Sequence, residues 1–397
     1  MKALWNKSNQ LVGEISLGFT RHIIHHIDWN HKLIGIIGPR GVGKTTLLLQ
    51  QLKRRYGVSN EALYISLDDL CFSNNSLYQI AFDFRNRGGK CLFVDEVHKY
   101  TQWSIDMRNI FHNLSDLKIV FAGSSIIDLL KQDSDFCRNA ITYSLSGLSF
   151  REYLERTNIS EVSTVDFETL LKDHKEIATG LSANFKPLLH FENYLKSGYY
   201  PCVDEQGTIN RLILEQYIKQ TIETDLNYMD GYDPRNVNRI KQLLHIIAQG
   251  VPLKPNIVKL SERIGIHRNT LVVYLFHLEK ARLIQLLYPS GSIISILQKP
   301  HYVFLNNANI AYIITEKEPE INSLRKTFFM NQVGAVYSVK SPRYGDFEVD
   351  GRWIFDVGEH KKLTKHLKDN PNAYLATDGI EIGSGHTIPL WMFGLLY

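Results

Sequence analysis

Eight consecutive residues, Gly38-Pro39-Arg40-Gly41-Val42-Gly43-Lys44-Thr45, carry the spacing G-x-x-x-x-G-K-[ST]. Glycines in this pattern let a loop curl so that its backbone N–H groups face phosphate, a lysine adds charge at the outer phosphates, and a hydroxyl faces magnesium. The chemistry implied is binding of a nucleoside triphosphate, ATP, with Mg2+. Residues Gly38 to Thr46 form the cradle, with Lys44 on the outer phosphates and Thr45 on the metal. The competing reading is a plain glycine turn followed by an exposed lysine.

Downstream, Cys91-Leu92-Phe93-Val94-Asp95-Glu96 is an apolar run that ends in two carboxylates. An aspartate at a strand tip can hold magnesium, directly or through water, and a glutamate one residue further can polarise the attacking water. Asp95 is therefore the second candidate metal ligand and Glu96 the candidate base; a polar cap on a sheet is the alternative. A third run ends in Gly123-Ser124-Ser125, where Ser124 or Ser125 would sense the outer phosphate unless the serines only cap a turn. Arg138 precedes the next apolar run. An arginine fork there suits the phosphoryl oxygens of a neighbouring subunit's site, against the alternative of a solvated surface arginine.

These groups need strand tips and a helix N-terminus to hold them. Apolar runs bounded by polar turns recur at 33–37, 63–67, 91–94, 119–122 and 141–145, with helical patterns between them. That alternation predicts an open, mostly parallel sheet with its ligand at the carboxyl ends of the strands.

Length and composition agree with a multidomain protein: 397 residues suggest two or three domains, and 44% hydrophobic content can build their cores. The net charge of +4 excludes a polycation, so nucleic-acid contact requires a local patch. Cys71, Cys91, Cys137 and Cys202 share no C-x-x-C spacing, which argues against a disulfide framework or zinc site. With no signal-peptide core and no run long enough to span a bilayer, the expected location is cytoplasmic, with no membrane partner.

Residues 148–250 read as helical, interrupted at Gly198-Tyr199-Tyr200-Pro201, and Asp225 with its neighbouring acids reads as a solvated face. From Asn256 the pattern sharpens into a helix-turn-helix. Ile257, Leu260 and Ile264 share one face, Gly265 breaks the helix, and Leu271, Tyr274, Leu275 and Leu278 share the next. The second helix would present Arg268, Asn269, Thr270 and Val273 to base edges, and Lys259 would reach backbone phosphate. Residues 251–300 hold seven Lys and Arg against two Asp and Glu, a local surplus of five. Segments 283–287 and 292–297 are expected to pair as a wing. Such modules also serve as protein docking units.

The stretch from Tyr344 to Val357 reads as two strands joined by an Asp350-Gly351 hairpin. It resembles the core of PD-(D/E)XK nucleases, in which two acids hold magnesium and a lysine stabilises the attacking hydroxide. Asp346 and Asp356 match the acids, but Gly358 stands at the lysine position, and the preceding helix carries Lys326 and Gln332 where related domains place glutamates. The expectation is an inactive nuclease fold, with a lysine supplied from elsewhere as the alternative. His22, His25, His26, His360 and His366 have no metal-ligand spacing with acids.

With the loop at 38–45, Asp95-Glu96-Val97-His98-Lys99-Tyr100, Trp103, Gly123-Ser124-Ser125 and Leu148-Ser149-Phe150-Arg151-Glu152-Tyr153-Leu154, the chain resembles bacterial and archaeal AAA-type ATPases over nearly its whole length. In those proteins a winged helix and a nuclease-like domain follow the ATPase. The resemblance implies an extra strand between the first and third, and ATP hydrolysis. Where the family has paired arginines or Gly-Arg, Asn139 follows Arg138 here. The expected fold is α/β: a P-loop NTPase parallel sheet of AAA type at 1–155, a helical lid at 156–235, a winged helix at 236–305 and a small nuclease-like α/β domain at 306–397. The expected function is Mg-dependent ATP hydrolysis that drives or gates action on duplex DNA or a protein partner, within a homo-oligomer. Two alternatives stand beside it: a slow nucleotide switch that touches no nucleic acid, and an ATP-regulated DNA nuclease.

Overall fold

The computed structural model describes residues 1–126, 139–202, 211–291, 299–359 and 362–397. The chain divides into two compact units, Met1–Ser146 and Gly147–Tyr397.

In the first unit, helix α1 (Lys2–Glu14) precedes strand β1 (Leu33–Gly38), helix α2 (Lys44–Tyr56) and strand β2 (Ala62–Ser66). Helix α3 (Leu77–Asn86), strand β3 (Cys91–Asp95), helix α4 (Trp103–Asn113), strand β4 (Lys118–Ser124) and strand β5 (Ile141–Ser144) follow. The five strands are parallel in the order β2-β3-β4-β1-β5, as the alternation of apolar runs and helical patterns predicts. Insertion of β4 between β3 and β1 brings three strand tips side by side.

Leu63, Leu92, Ile119 and Leu33 stand in register across four strands and are fully buried or nearly so. With Phe84 of α3 and Met107 and Ile110 of α4 they form one apolar cluster. Each such side chain contributes about 1.5–3 kcal/mol on burial, so the row supports the sheet across four strands. Gly35 allows the close packing: a β-carbon there would lie 2.6 Å from the Phe121 ring. At the β2 edge, α1 presents Ser8 and Val12 inward, and the Ser8 hydroxyl accepts the Tyr64 N–H at 3.0 Å.

The second unit begins with helices α5 (Phe150–Arg156), α6 (Phe167–Ser182), α7 (Pro187–Asn193) and α8 (Arg211–Glu223). The Ser-Phe-Arg-Glu motif starts α5 as a capping box between Ser149 and Glu152. Ser149 Oγ and Arg151 Nε both donate to the Tyr397 carbonyl, at 2.6 and 3.0 Å, so the motif also secures the C-terminal residue. The Gly-Tyr-Tyr-Pro interruption packs on the same helix: a β-carbon at Gly147 would lie 2.3 Å from the Tyr199 ring, and Leu148 N–H donates to the Tyr199 carbonyl. Asp225 departs from expectation. It opens a short 3-10 turn just past α8 and is only 1% exposed, because the chain folds inward there instead of continuing a solvated helix.

Helices α9 (Val237–Gln249), α10 (Ile257–Ile264) and α11 (Arg268–Lys280) lead to strands β6 (Ile284–Leu287) and β7 (Tyr302–Leu305), which pair antiparallel. The strand paired with β6 is thus 302–305. The segment 292–297 expected in that role lies outside the described residues. Tyr302–Leu305 is an almost wholly buried apolar run, and Leu253 bridges its Val303 on the other side. Helix α12 (Ala308–Ile314), helix α13 (Ile321–Gly334) and strands β8 (Val339–Lys340), β9 (Phe347–Val349), β10 (Trp353–Gly358), β11 (Ala373–Thr377) and β12 (Thr387–Pro389) complete the unit. These strands form a second sheet in the order β12-β11-β10-β9-β8. The β9–β10 hairpin turns through Asp350 and Gly351, both at positive φ (49° and 67°), the geometry that Asp-Gly favours.

Candidate functional site

The loop between β1 and α2 curls through Gly41 and Gly43, at φ 84° and 94°, and Gly43 is the cap residue of α2. No side chain caps this helix and its first turn holds no acid, which leaves the leading N–H groups and the helix dipole available to an anion. Gly38 is fixed for a different reason: a β-carbon there would lie 2.3 Å from the Leu145 carbonyl oxygen. Lys44 is buried, and its Nζ donates to the carbonyls of Gly38 and Pro39, both at 2.9 Å, which holds the charge across the loop. Val42 is fully buried, Arg40 and the glycines 41 and 43 are partly covered, and Thr45 and Thr46 are exposed at the start of α2.

Thr45 Oγ1 donates to Asp95 Oδ2 at 2.5 Å, joining the loop to the tip of β3. Asp95 is 1% exposed and also accepts from the Tyr64 hydroxyl at 3.0 Å and the Glu96 N–H at 2.8 Å. Burial, then the neighbouring Glu96 charge, push its carboxyl above the ordinary range. A cation beside Asp95 and Thr45 would offset both effects, so the residues present fit Mg2+. The Tyr64 phenol is pushed up by its burial and by Asp95, and so remains a donor.

Glu96 has a left-handed backbone, φ 53° and ψ 38°, which costs about 1–2 kcal/mol in a residue with a β-carbon. Its carboxylate lies 3.3 Å from Nε2 of the buried His98. At the β4 tip, Ser124 is the register partner of Gly38, and the Ser125 N–H donates to the Gly38 carbonyl at 3.2 Å. The Ser124 hydroxyl accepts weakly from the Ile126 N–H at 3.5 Å. The Ser125 hydroxyl is buried with no hydrogen-bond partner among the described residues. Lys44, Thr45, Asp95 and Glu96 are thus gathered with both serines at adjoining strand tips. Arg138 lies outside the described residues.

Sequence reasoning passed over Arg21, which is buried and donates to the Val42 carbonyl at 2.8 Å and the Ser146 carbonyl at 2.9 Å. No motif marks it; a lone arginine before β1 reads as surface until the fold places it under the loop. His98 was legible only as part of a motif string.

In the second unit, Lys259, Arg268 and Asn269 are exposed and Thr270 is half-buried, around a turn made by Gly265 at φ 73°. In the C-terminal sheet, Asp346 is ion-paired to Lys326 of α13 at 2.5 Å and accepts the Val357 N–H at 2.9 Å. Asp356 is 7% exposed. No group of three or more His, Cys, Asp or Glu suited to a metal occurs among the described residues. Arg325, also on α13, pairs with Glu359 and Asp378. No helix among the described residues is long and apolar enough to cross a membrane.

Residues 30–154 match a family described as an AAA domain, and residues 188–318 match a domain of unknown function. An uncharacterized protein of Methanocaldococcus jannaschii is 26% identical over 276 residues, 66% of this chain and 58% of that protein. The chain therefore spans less than two thirds of that relative's length. Among solved structures, a variant of RuvB from Thermotoga maritima is 15% identical, covering 74% of this chain and 92% of its own, with a TM-score of 0.28. AMPPCP-bound DnaA from Aquifex aeolicus is 14% identical, covering 68% and 86%, with a TM-score of 0.25. At TM-scores this low the likenesses say nothing of function. Residues 30–154 are an AAA-type P-loop ATPase domain.

Proposed function

We propose, from this AAA-type domain, that the chain binds ATP with Mg2+ and hydrolyses it, and that the cycle gates action on duplex DNA or a protein partner. The observation that carries the reading is the Thr45–Asp95 hydrogen bond, which closes the P-loop against the β3 tip with Glu96 beside it. Loop N–H groups and Lys44 bind the phosphates, Thr45 and Asp95 hold Mg2+, and Glu96 takes the proton from water. The metal supplies charge neutralisation at the phosphates. A buried hydroxyl at Ser125, or Ser124 beside it, is suited to sense the outer phosphate. Arg138 remains the proposed finger of a neighbouring subunit, in a cytoplasmic homo-oligomer.

The order α9, Leu253, α10, α11, β6, β7 has the sequence of elements of a winged helix, with Leu253 and β6 flanking β7. In that reading Arg268, Asn269 and Thr270 meet bases and Lys259 meets phosphate. The C-terminal sheet is read as a nuclease-like fold without nuclease activity, since Lys326 neutralises Asp346 and Gly358 replaces the lysine.

The test is steady-state ATP hydrolysis with and without duplex DNA, in wild type, Lys44→Ala and Glu96→Gln. Expected are DNA-stimulated turnover in wild type, no ATP binding in Lys44→Ala, and binding with only residual turnover in Glu96→Gln. Tight binding with negligible turnover under both conditions would favour the nucleotide switch. Equal turnover in wild type and Glu96→Gln would refute the assignment of the base.

A further inference from the structure

We infer that His98 is a positioning residue that ties Glu96 to the tip of β4. The inference rests on the reading of Glu96 as the base, and it assigns a role to a buried side chain that the mechanism above does not use.

The Ser124 N–H donates to His98 Nδ1 at 3.4 Å, so Nδ1 is the acceptor nitrogen of the ring. In the neutral imidazole the proton then sits on Nε2, the nitrogen 3.3 Å from Glu96 Oε2. The ring therefore faces the carboxylate with Nε2 in an electrostatic contact whose geometry falls short of a hydrogen bond, while its other nitrogen is held by the strand. The His98 side chain is 4% exposed and that of Glu96 22%, so water competes little for the contact. Oriented from one side by imidazole, the carboxylate has its second oxygen left for a water proton.

The relay begins at the phosphate loop. Ser124 is the register partner of Gly38, and its neighbour Ser125 donates to the Gly38 carbonyl. A shift of the β4 tip on phosphate contact would thus pass through the Ser124 amide to His98 and on to Glu96. The left-handed Glu96 backbone fits this arrangement, because it turns the side chain back toward residue 98 at a conformational cost that a contact must offset.

The test uses the full chain, with single-turnover ATP hydrolysis and binding of a fluorescent ATP analogue. Variants are His98→Ala, His98→Gln, Glu96→Gln and the double variant His98→Ala/Glu96→Gln. Glutamine presents an acceptor and a donor with a spacing similar to that of the neutral ring. Expected is a loss of about 10-fold to 100-fold in hydrolysis for His98→Ala at unchanged analogue affinity, the scale of a misplaced reacting group. His98→Gln should recover most of the rate, and the double variant should be no slower than Glu96→Gln alone. An unchanged or raised rate in His98→Ala, a parallel loss of affinity, no recovery by glutamine, or an equal further loss in the Glu96→Gln background overturns the inference. If Glu96→Gln itself hydrolyses ATP as wild type does, the base assignment fails instead.

Discussion

Thr45 and Asp95, fifty positions apart in the chain, meet through a 2.5 Å hydrogen bond in which the hydroxyl donates to a carboxylate that is almost wholly buried. The sequence places them on separate elements, and only the parallel order β3-β4-β1 brings them together. A carboxylate buried this far is held at a cost to the folded protein.

Its pH dependence follows. The Asp95 carboxyl is raised above its ordinary 3.8 by burial, so the folded protein holds this proton more tightly than the unfolded chain does. Below the ordinary value both states are protonated; as pH climbs through the raised range, the folded state loses stability relative to one without the charge. Without nucleotide or metal, Asp95→Asn should therefore gain on wild type as pH rises from about 4 upward. Melting temperatures of the two proteins across pH check this, and a difference independent of pH would contradict it.

Gly38→Ala should both destabilise the protein and weaken ATP binding. Its β-carbon would meet a backbone oxygen, that of Leu145, which cannot swing aside like a side chain. The expected cost is about 1–3 kcal/mol. Gly180→Ala in α6 is the control: nothing lies within 4 Å of its β-carbon, so it should stabilise by up to about 1 kcal/mol. Denaturant melts and nucleotide titrations of both variants decide the matter.

The loop at 38–45 and the 91–96 run were legible because their chemistry is local: glycines, a lysine and adjacent carboxylates at fixed spacing. The five-strand parallel sheet followed from apolar runs alternating with helical patterns, four of its strands being buried and β5, at the edge, largely exposed. Arg21 was not legible, since its partners are backbone carbonyls of residues 42 and 146, and carbonyls carry no sequence signal. The burial of Asp225 was missed because helical periodicity was carried past Glu223, where α8 ends. The pairing of β6 with Tyr302–Leu305 was not anticipated, because a short hairpin is the simpler expectation and the buried run at 302–305 lies further along the chain.

If α11 reads duplex DNA, replacing Arg268 and Lys259 together with Ala should reduce the log-log salt slope of binding by roughly 2, at about 0.9 per phosphate contact. Sequence preference should change through Arg268 alone, because it starts the second helix while Lys259 reaches only backbone. Duplex titrations over a range of salt test both points. No salt-sensitive binding by wild type would make this module a docking unit.

Lys326 occupies Asp346 with an ion pair in which both side chains are about one-fifth exposed. Lys326→Ala should destabilise the second unit by about 1–3 kcal/mol, since a partly buried carboxylate loses its counter-charge. The same change should let Mn2+ raise the melting temperature, and Asp356→Asn in that background should abolish the gain. A wild type that Mn2+ stabilises equally would show that the lysine does not block the acids.

Ser8 closes the β2 edge by taking the Tyr64 N–H, and the same tyrosine reaches Asp95 with its hydroxyl. While α1 stays docked, a second copy cannot lengthen the sheet at that side by adding a strand, so assembly of the domain is steered toward side-chain surfaces. A nick within α1 would do more than trim a terminus. It would turn a shut edge into a template for aggregation, and it would loosen the tyrosine that steadies the buried Asp95 carboxylate.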